Sequence, residues 1–136
     1  MTGGGDGDLV RTMPIALECG IEVEEATAQK VTGSLEWRAD LCTVAGTLHG
    51  GAIMTLTDSL GAVCAYLNLP DGATTSTIES KTNFFRGVRT GRAHAETRAL
   101  HVGRTTIVVQ TDVRDDGGRR VAQTTQTQAV VAPPPV

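Results

Sequence analysis

Between residues 48 and 67 the chain reads LHGGAIMTLTDSLGAVCAYL. Residues 50 to 70 hold a single charged side chain, Asp58. No other stretch narrows the possible folds so far. Gly50 and Gly51 mark a helix start, and the run Asn68-Leu69-Pro70-Asp71-Gly72 ends it. A helix that is apolar nearly all round has to be covered on nearly all sides. Aromatic residues make up only 3% of the chain, so the cover must be aliphatic.

Around the helix the pattern has a different period. From Glu22 to Trp37 the chain reads as extended, after a short turn or helix near Pro14. The stretch RADLCTVAGT reads as a loop. After the helix come TTSTIESKTNFF, RAHAETRALH, RTTIVVQTDVR and RRVAQTTQTQAVV. These predict four strands in a meander, the last three joined by tight turns, with RDDGGR the clearest hairpin signal. The fold class is therefore α+β, a sheet curled around one long central helix. One such sheet wraps only part of the helix, and a second copy of the chain is the simplest cover for the rest. An obligate homodimer follows.

The length of 136 residues fits one domain over residues 11–131, with flexible tails at 1–10 and 132–136. Net charge is −3 with scattered signs, and no basic block points to nucleic acid. The start lacks a basic segment followed by an apolar run, so it does not read as a secretion signal. No apolar run approaches the roughly 20 residues a membrane span needs. Cys19, Cys42 and Cys64 are odd in number and lack metal-ligand spacing, as expected of reduced thiols in a cytoplasmic protein.

A buried, ionised and unpaired carboxylate costs several kcal/mol. Asp58 has no lysine or arginine at i±3 or i±4, where Met54, Thr55, Gly61 and Ala62 stand. Two readings stay open: an aspartate held by local hydroxyls such as Thr55 or Ser59, or an acid facing a pocket as general base or nucleophile. His49-Gly50-Gly51 offers a helix tip with free N–H groups, suited to a developing oxyanion. His49 stands just outside that tip, placed to donate a hydrogen bond. Nine residues separate His49 from Asp58, roughly 13 Å along the helix and on opposite sides of it. If both act on one atom, Asp58 must come from a second subunit, with two antiparallel helices meeting across a two-fold axis.

The run Gly46-x-Leu48-His49-Gly50-Gly51-Ala52 with Asp58, then NFFRGVRTG (83–91), GRTT (103–106) and DDGGRRVAQTTQTQAVV (115–131), resembles the hotdog-fold acyl-CoA thioesterases. The likeness extends over residues 15 to 131 and is strongest to the phenylacetate-pathway branch that includes Arthrobacter-type 4-hydroxybenzoyl-CoA thioesterases. It implies a five-stranded antiparallel sheet around the helix, with active sites at a dimer interface and dimers paired into homotetramers. It implies hydrolysis of an acyl-CoA to free acid and CoA, with no metal and no cofactor beyond the CoA of the substrate. By position, Asp58 attacks the thioester or activates water. The Gly51 amide of the other subunit polarises the carbonyl, His49 supports the thioester region, and a hydroxyl, here Thr77, places water or carboxylate. Gly50 and Thr43 line the substrate. Arg86, Arg89, Arg104, Thr105 and Thr106 match positions that hold CoA phosphates and adenine. Ile53, Leu56, Leu60 and Phe84 are candidates for the acyl pocket. Two departures stand out. Thr43 replaces the usual amide side chain six residues before the histidine, and Gly87 replaces a proline after Arg86.

Two other functions compete. An enoyl-thioester hydratase or dehydratase of this fold would need a histidine further along, and none lies between residues 50 and 93. A non-catalytic acyl-CoA-binding protein would show affinity without thiol release.

Overall fold

The computed structural model describes residues 8–135. Helix α1 spans Pro14–Cys19 and the long helix α2 spans Gly50–Tyr66; the strands are β1 (Glu22–Ala26), β2 (Val31–Glu36), β3 (Thr74–Phe84), β4 (Arg92–Val102), β5 (Thr106–Arg114) and β6 (Arg120–Val131). They form one antiparallel sheet in the order β1-β2-β4-β5-β6-β3. Its inner face packs on α2.

The sheet has six strands, not five. The stretch from Glu22 to Trp37 is not one extended run but a hairpin, with Val23 opposite Gly33 and Ala26 opposite Val31. No glycine or proline marks its turn. Thr27 closes it instead: its amide reaches Lys30 O at 2.9 Å, and its hydroxyl accepts from Lys30 N at 3.0 Å. The meander is also shorter than expected. Only β4, β5 and β6 follow one another, while β3 lies at the sheet edge against β6, Thr74 opposite Val131 and Phe84 opposite Ala122. The loop 85–91 carries the chain across the end of the sheet. Phe85 N–H is fixed to Val121 O at 2.7 Å, and Leu48 N–H to Val88 O at 2.9 Å.

The expected N-terminal tail falls largely on residues 1–7, outside the described residues. Its last three residues open a 3-10 turn, Asp8–Thr12, that buries Val10. Residues 132–135 carry no regular structure.

The core is aliphatic, as the composition requires. Leu56, Leu60 and Val63 of α2 meet Val31, Leu35, Ile107, Val109 and Val113 of the sheet, all essentially inaccessible to solvent. Each such side chain contributes about 1.5–3 kcal/mol of burial. Beside it runs a polar stripe that composition does not announce: Thr57, Thr97, Thr111, Thr124, Gln126 and Gln128 are all fully buried. Their groups pair with one another in part, as in Thr97–Thr111 at 2.6 Å and Thr124–Thr57 at 3.0 Å.

Along α2 the face carrying Gly51, Asp58 and Tyr66 is exposed, with Met54, Thr55 and Ala62 half-buried beside it. One chain leaves that face uncovered. The helix ends where Asn68 folds back, its side-chain amide donating to Cys64 O and Ala28 O, both at 2.9 Å.

Candidate active site

Asp58 stands on the exposed face of α2, above the start of β3 and the middle of β6. Its Oδ1 accepts two hydrogen bonds, from Thr77 Oγ1 at 2.9 Å and from Gln126 Nε2 at 2.6 Å. The local alternatives do not hold it: Thr55 donates to Gly51 O at 2.8 Å, one turn back on the helix. No salt bridge reaches Asp58 among the described residues. The carboxylate opens on a cleft of about 380 Å³ whose walls include Gly51, Met54, Thr77 and Ser80, with Met13 and Ile15 from the N-terminal segment. It is not sealed within the chain.

Gly51 lies on the same helix face as Asp58, two turns away, roughly 10 Å along the axis. Its amide is already engaged. The N–H donates to His49 Nδ1 at 2.7 Å, and His49 is the N-cap of the helix. A neutral His49 ring that accepts at Nδ1 carries its proton on Nε2. Ala52 N–H and Ile53 N–H both turn to His49 O, at 2.9 and 3.2 Å. Gly50 N–H has no hydrogen-bond partner among the described residues. The Phe84 ring lies close over Gly50, so a Cβ there would stand 3.1 Å from Cζ.

Thr43 is exposed on the loop before the helix, its amide bonded to Thr47 O at 2.8 Å. That loop turns through the left-handed backbone of Ala45 (φ 63°) and Gly46 (φ 73°). Trp37 Nε1 pins it at Gly46 O, 2.9 Å away.

The cationic candidates separate into two groups. Arg86 and Arg89 sit on the loop beside the N-terminal end of α2. They line a second cleft, of about 390 Å³, with Asp115, Asp116 and Arg119 of the β5–β6 turn. Arg89 Nη1 donates to Ala45 O at 3.1 Å. Asp115 accepts from Arg119 N at 2.9 Å, which holds its carboxyl below the usual range. Arg104, Thr105 and Thr106 lie at the β4–β5 turn, the opposite end of β5. Those nine residues span roughly 27 Å. Within one chain the two groups do not meet at one phosphate.

Of the apolar candidates, Leu56 and Leu60 are wholly buried core residues, while Ile53, 3% exposed, lies at the floor of a cleft with Gly50 and Phe84. Phe84 is half exposed beside Gly50. Gln126 was not anticipated. Its only signal in the sequence is that β6 is polar at every position from Gln123 to Gln128, so one side of that run must face the helix.

The thioesterase superfamily model matches residues 45–122, more than half of the chain. The chain belongs to the thioesterase superfamily. A crystal structure of a mutant thioesterase from Pseudomonas aeruginosa superposes with a TM-score of 0.86 at 31% identity, covering 92% of this chain and 93% of that one. The 1,4-dihydroxy-2-naphthoyl-CoA hydrolase of Escherichia coli K12 is 33% identical over 86 residues, 63% of each chain. The proofreading thioesterase EntH of Cronobacter turicensis is 31% identical over the same length, again 63% of each. As a superfamily member the protein is a thioester hydrolase with the hotdog fold. The superfamily match includes the whole of α2, the His-Gly-Gly tip and β3 through β5, and so every element that places Asp58 except the latter part of β6.

Proposed function

We propose that this thioesterase hydrolyses an acyl-CoA, aromatic or medium-chain, to the free acid and CoA, in the phenylacetate-pathway and 4-hydroxybenzoyl-CoA branch of the superfamily. The observation that carries this reading is the pair of donors on Asp58 Oδ1 beside an open cleft. Oδ2 receives no hydrogen bond among the described residues, so it is the oxygen left to react. It either adds to the thioester carbonyl and expels the CoA thiolate, giving an anhydride that water opens, or takes a proton from the water that adds. Neither course requires a metal or another cofactor.

The carbonyl oxygen needs a donor about 3 Å away, and the helix tip of the same chain is too distant to supply it. A second copy with its α2 antiparallel brings its tip to Asp58, and this chain's tip to the partner's acid. The uncovered face of α2 is where such a copy would sit. Resemblance assigned the donor to Gly51. Because that hydrogen is held by His49, we assign it to the Gly50 N–H, with His49 Nε2–H available beside it. The same two-fold would bring Arg86 and Arg89 of one chain towards Arg104, Thr105 and Thr106 of the other, so that one CoA is gripped by both. We extend the dimer to a tetramer of paired dimers. Three free thiols suit a cytoplasmic setting, and no helix among the described residues is long and apolar enough to cross a membrane.

The test is thiol release from a panel of phenylacetyl-, 4-hydroxybenzoyl- and straight-chain acyl-CoAs. The parent releases CoA from at least one. Asp58→Ala is expected to lose nearly all of that rate; a variant as fast as the parent would overturn the assignment.

A further inference from the structure

We propose that Gln126 is a positioning residue: its buried amide, with Thr77 and behind it Gln128, fixes one oxygen of Asp58 so that the other alone meets the substrate. This rests on the assignment of Asp58 above and explains how a short carboxylate on an exposed helix face keeps one orientation.

The terminal torsion of an aspartate is broad and nearly two-fold. Left to solvent, Oδ1 and Oδ2 would exchange places freely. Two donors converging on one oxygen stop that exchange, and bonds to a charged acceptor are the stronger kind. Thr77 gives one donor from β3, and Gln126 gives the other from β6.

Gln126 is not at this position for packing. It is fully buried on the inner face of the sheet, where an aliphatic side chain would carry no polar atoms to desolvate. Its Nε2 reaches Asp58, but its Oε1 has no partner. A buried orphan acceptor is unfavourable, and here it accompanies a donor aimed at the reactive acid. The helix makes room for it. Gly61, one turn beyond Asp58, has no Cβ, and a Cβ there would overlap Gln126 Oε1. A glycine inside a helix weakens it, and this one leaves the amide a path to Asp58.

Proton counting extends the chain of donors by one residue. Thr77 has one hydroxyl proton and two oxygens before it: Asp58 Oδ1 at 2.9 Å and Gln128 Oε1 at 3.2 Å. Thr75 Oγ1 also lies 3.4 Å from Gln128 Oε1, but its proton goes to Ala129 O at 2.8 Å. Both threonine oxygens therefore need a donor from Gln128, while Gln128 Nε2 is buried without a partner. Turning that amide by 180° gives both threonine oxygens a donor and leaves an acceptor, Oε1, rather than a donor without a partner. Nε2 then donates to Thr77, and the Thr77 proton is committed to Asp58. Gln126 thus acts on Oδ1 directly, and Gln128 acts through Thr77.

The test compares steady-state hydrolysis by the parent, Gln126→Ala, Gly61→Ala, their double variant and Asp58→Ala, with melting curves to show that each is folded. Gln126→Ala loses the donor. Gly61→Ala keeps it but displaces the amide. Each is expected to lower kcat by roughly tenfold to a hundredfold, with KM within about twofold of the parent. The double variant is expected to lose no more than Gln126→Ala alone, because both changes break the same contact. If Gln126→Ala does not fold, Gln126→Leu takes its place. An unchanged kcat in folded Gln126→Ala, a loss carried wholly by KM, or additive losses in the double variant overturns the clamp; with Asp58→Ala inactive in the same assay, the role of Asp58 stands without it. An Asp58→Ala enzyme as fast as the parent overturns both.

Discussion

His49 Nδ1 and Gly51 N stand 2.7 Å apart, an N-cap bond in which a histidine does what serine or aspartate does at most helix starts. The first turn of α2 holds two glycines and no acidic residue. His49 is therefore its main anchor, and His49→Ala is expected to lower stability by about 1 kcal/mol. His49→Asn, which can cap in the same way, is expected to recover most of that. Denaturant midpoints of the three proteins check it, and equal midpoints would show that the bond contributes nothing.

Thr77→Val replaces the hydroxyl on Asp58 Oδ1 by a methyl of similar size. With Gln126 still in place, kcat is expected to fall by roughly tenfold to a hundredfold, the range for one bond to a charged acceptor. Thr77→Ser keeps the donor and is expected to stay within about threefold of the parent. Thiol-release kinetics decide between them.

Arg86 and Arg104 occupy opposite ends of the sheet, yet both are assigned here to one CoA. Charge contacts to phosphate weaken as salt rises. Arg86→Ala and Arg104→Ala are each expected to raise KM and to flatten its dependence on ionic strength, with kcat unchanged. If only one does so, the CoA rests on a single end of the molecule and the shared grip is wrong.

Cys64 is fully buried on α2, and burial pushes its thiol up to about 11. The folded form holds its proton after the unfolded chain, titrating near 9, has released it. Stability is therefore expected to fall as pH rises from about 9 to about 11, and this group adds no slope below that window. A thiol reagent at pH 8 is expected to label the half-buried Cys19 and Cys42 in the folded protein and Cys64 only after denaturant is added.

Gly33 on β2 sits where a Cβ would overlap Glu22 O of β1 and stand 3.2 and 3.3 Å from the Leu60 methyls. A backbone oxygen cannot swing aside as a side chain can. Gly33→Ala is expected to cost about 1–3 kcal/mol, read as a lower denaturant midpoint.

The helix and the last four strands were legible because each follows one rule over many residues. Residues 50–66 are apolar with glycine at one end and proline beyond the other, and β3 to β6 are β-branched or alternating runs separated by glycines. The β1–β2 turn was not legible because Thr27 makes it with a side chain, in a stretch that otherwise reads as extended. The place of β3 was hidden for a different reason. Pairing with β6 rather than β4 depends on where the loop 85–91 crosses, and Thr-rich strands fit either neighbour.

In the proposed site, the sequence itself singles out Asp58, as the one charge in an apolar run, and the His-Gly-Gly tip, as a glycine helix start with free N–H groups, while Thr77 comes by resemblance. Gln126 was not legible. In a strand with an aliphatic inner face, a glutamine points outward by parity. On β6 both faces are polar from Gln123 to Gln128, so parity says nothing. The engaged state of the Gly51 amide was equally hidden, since it depends on the rotamer of His49.

The missing methyl at Gly61 ties two distant positions into one heritable unit. A side chain at residue 61 collides with the amide unless residue 126 is shorter, and a glutamine at 126 keeps its reach to Asp58 only where 61 is bare. Among sequences descended from a common ancestor with this protein, the two positions should change together, and alanine at 61 alongside glutamine at 126 should be the combination that is missing.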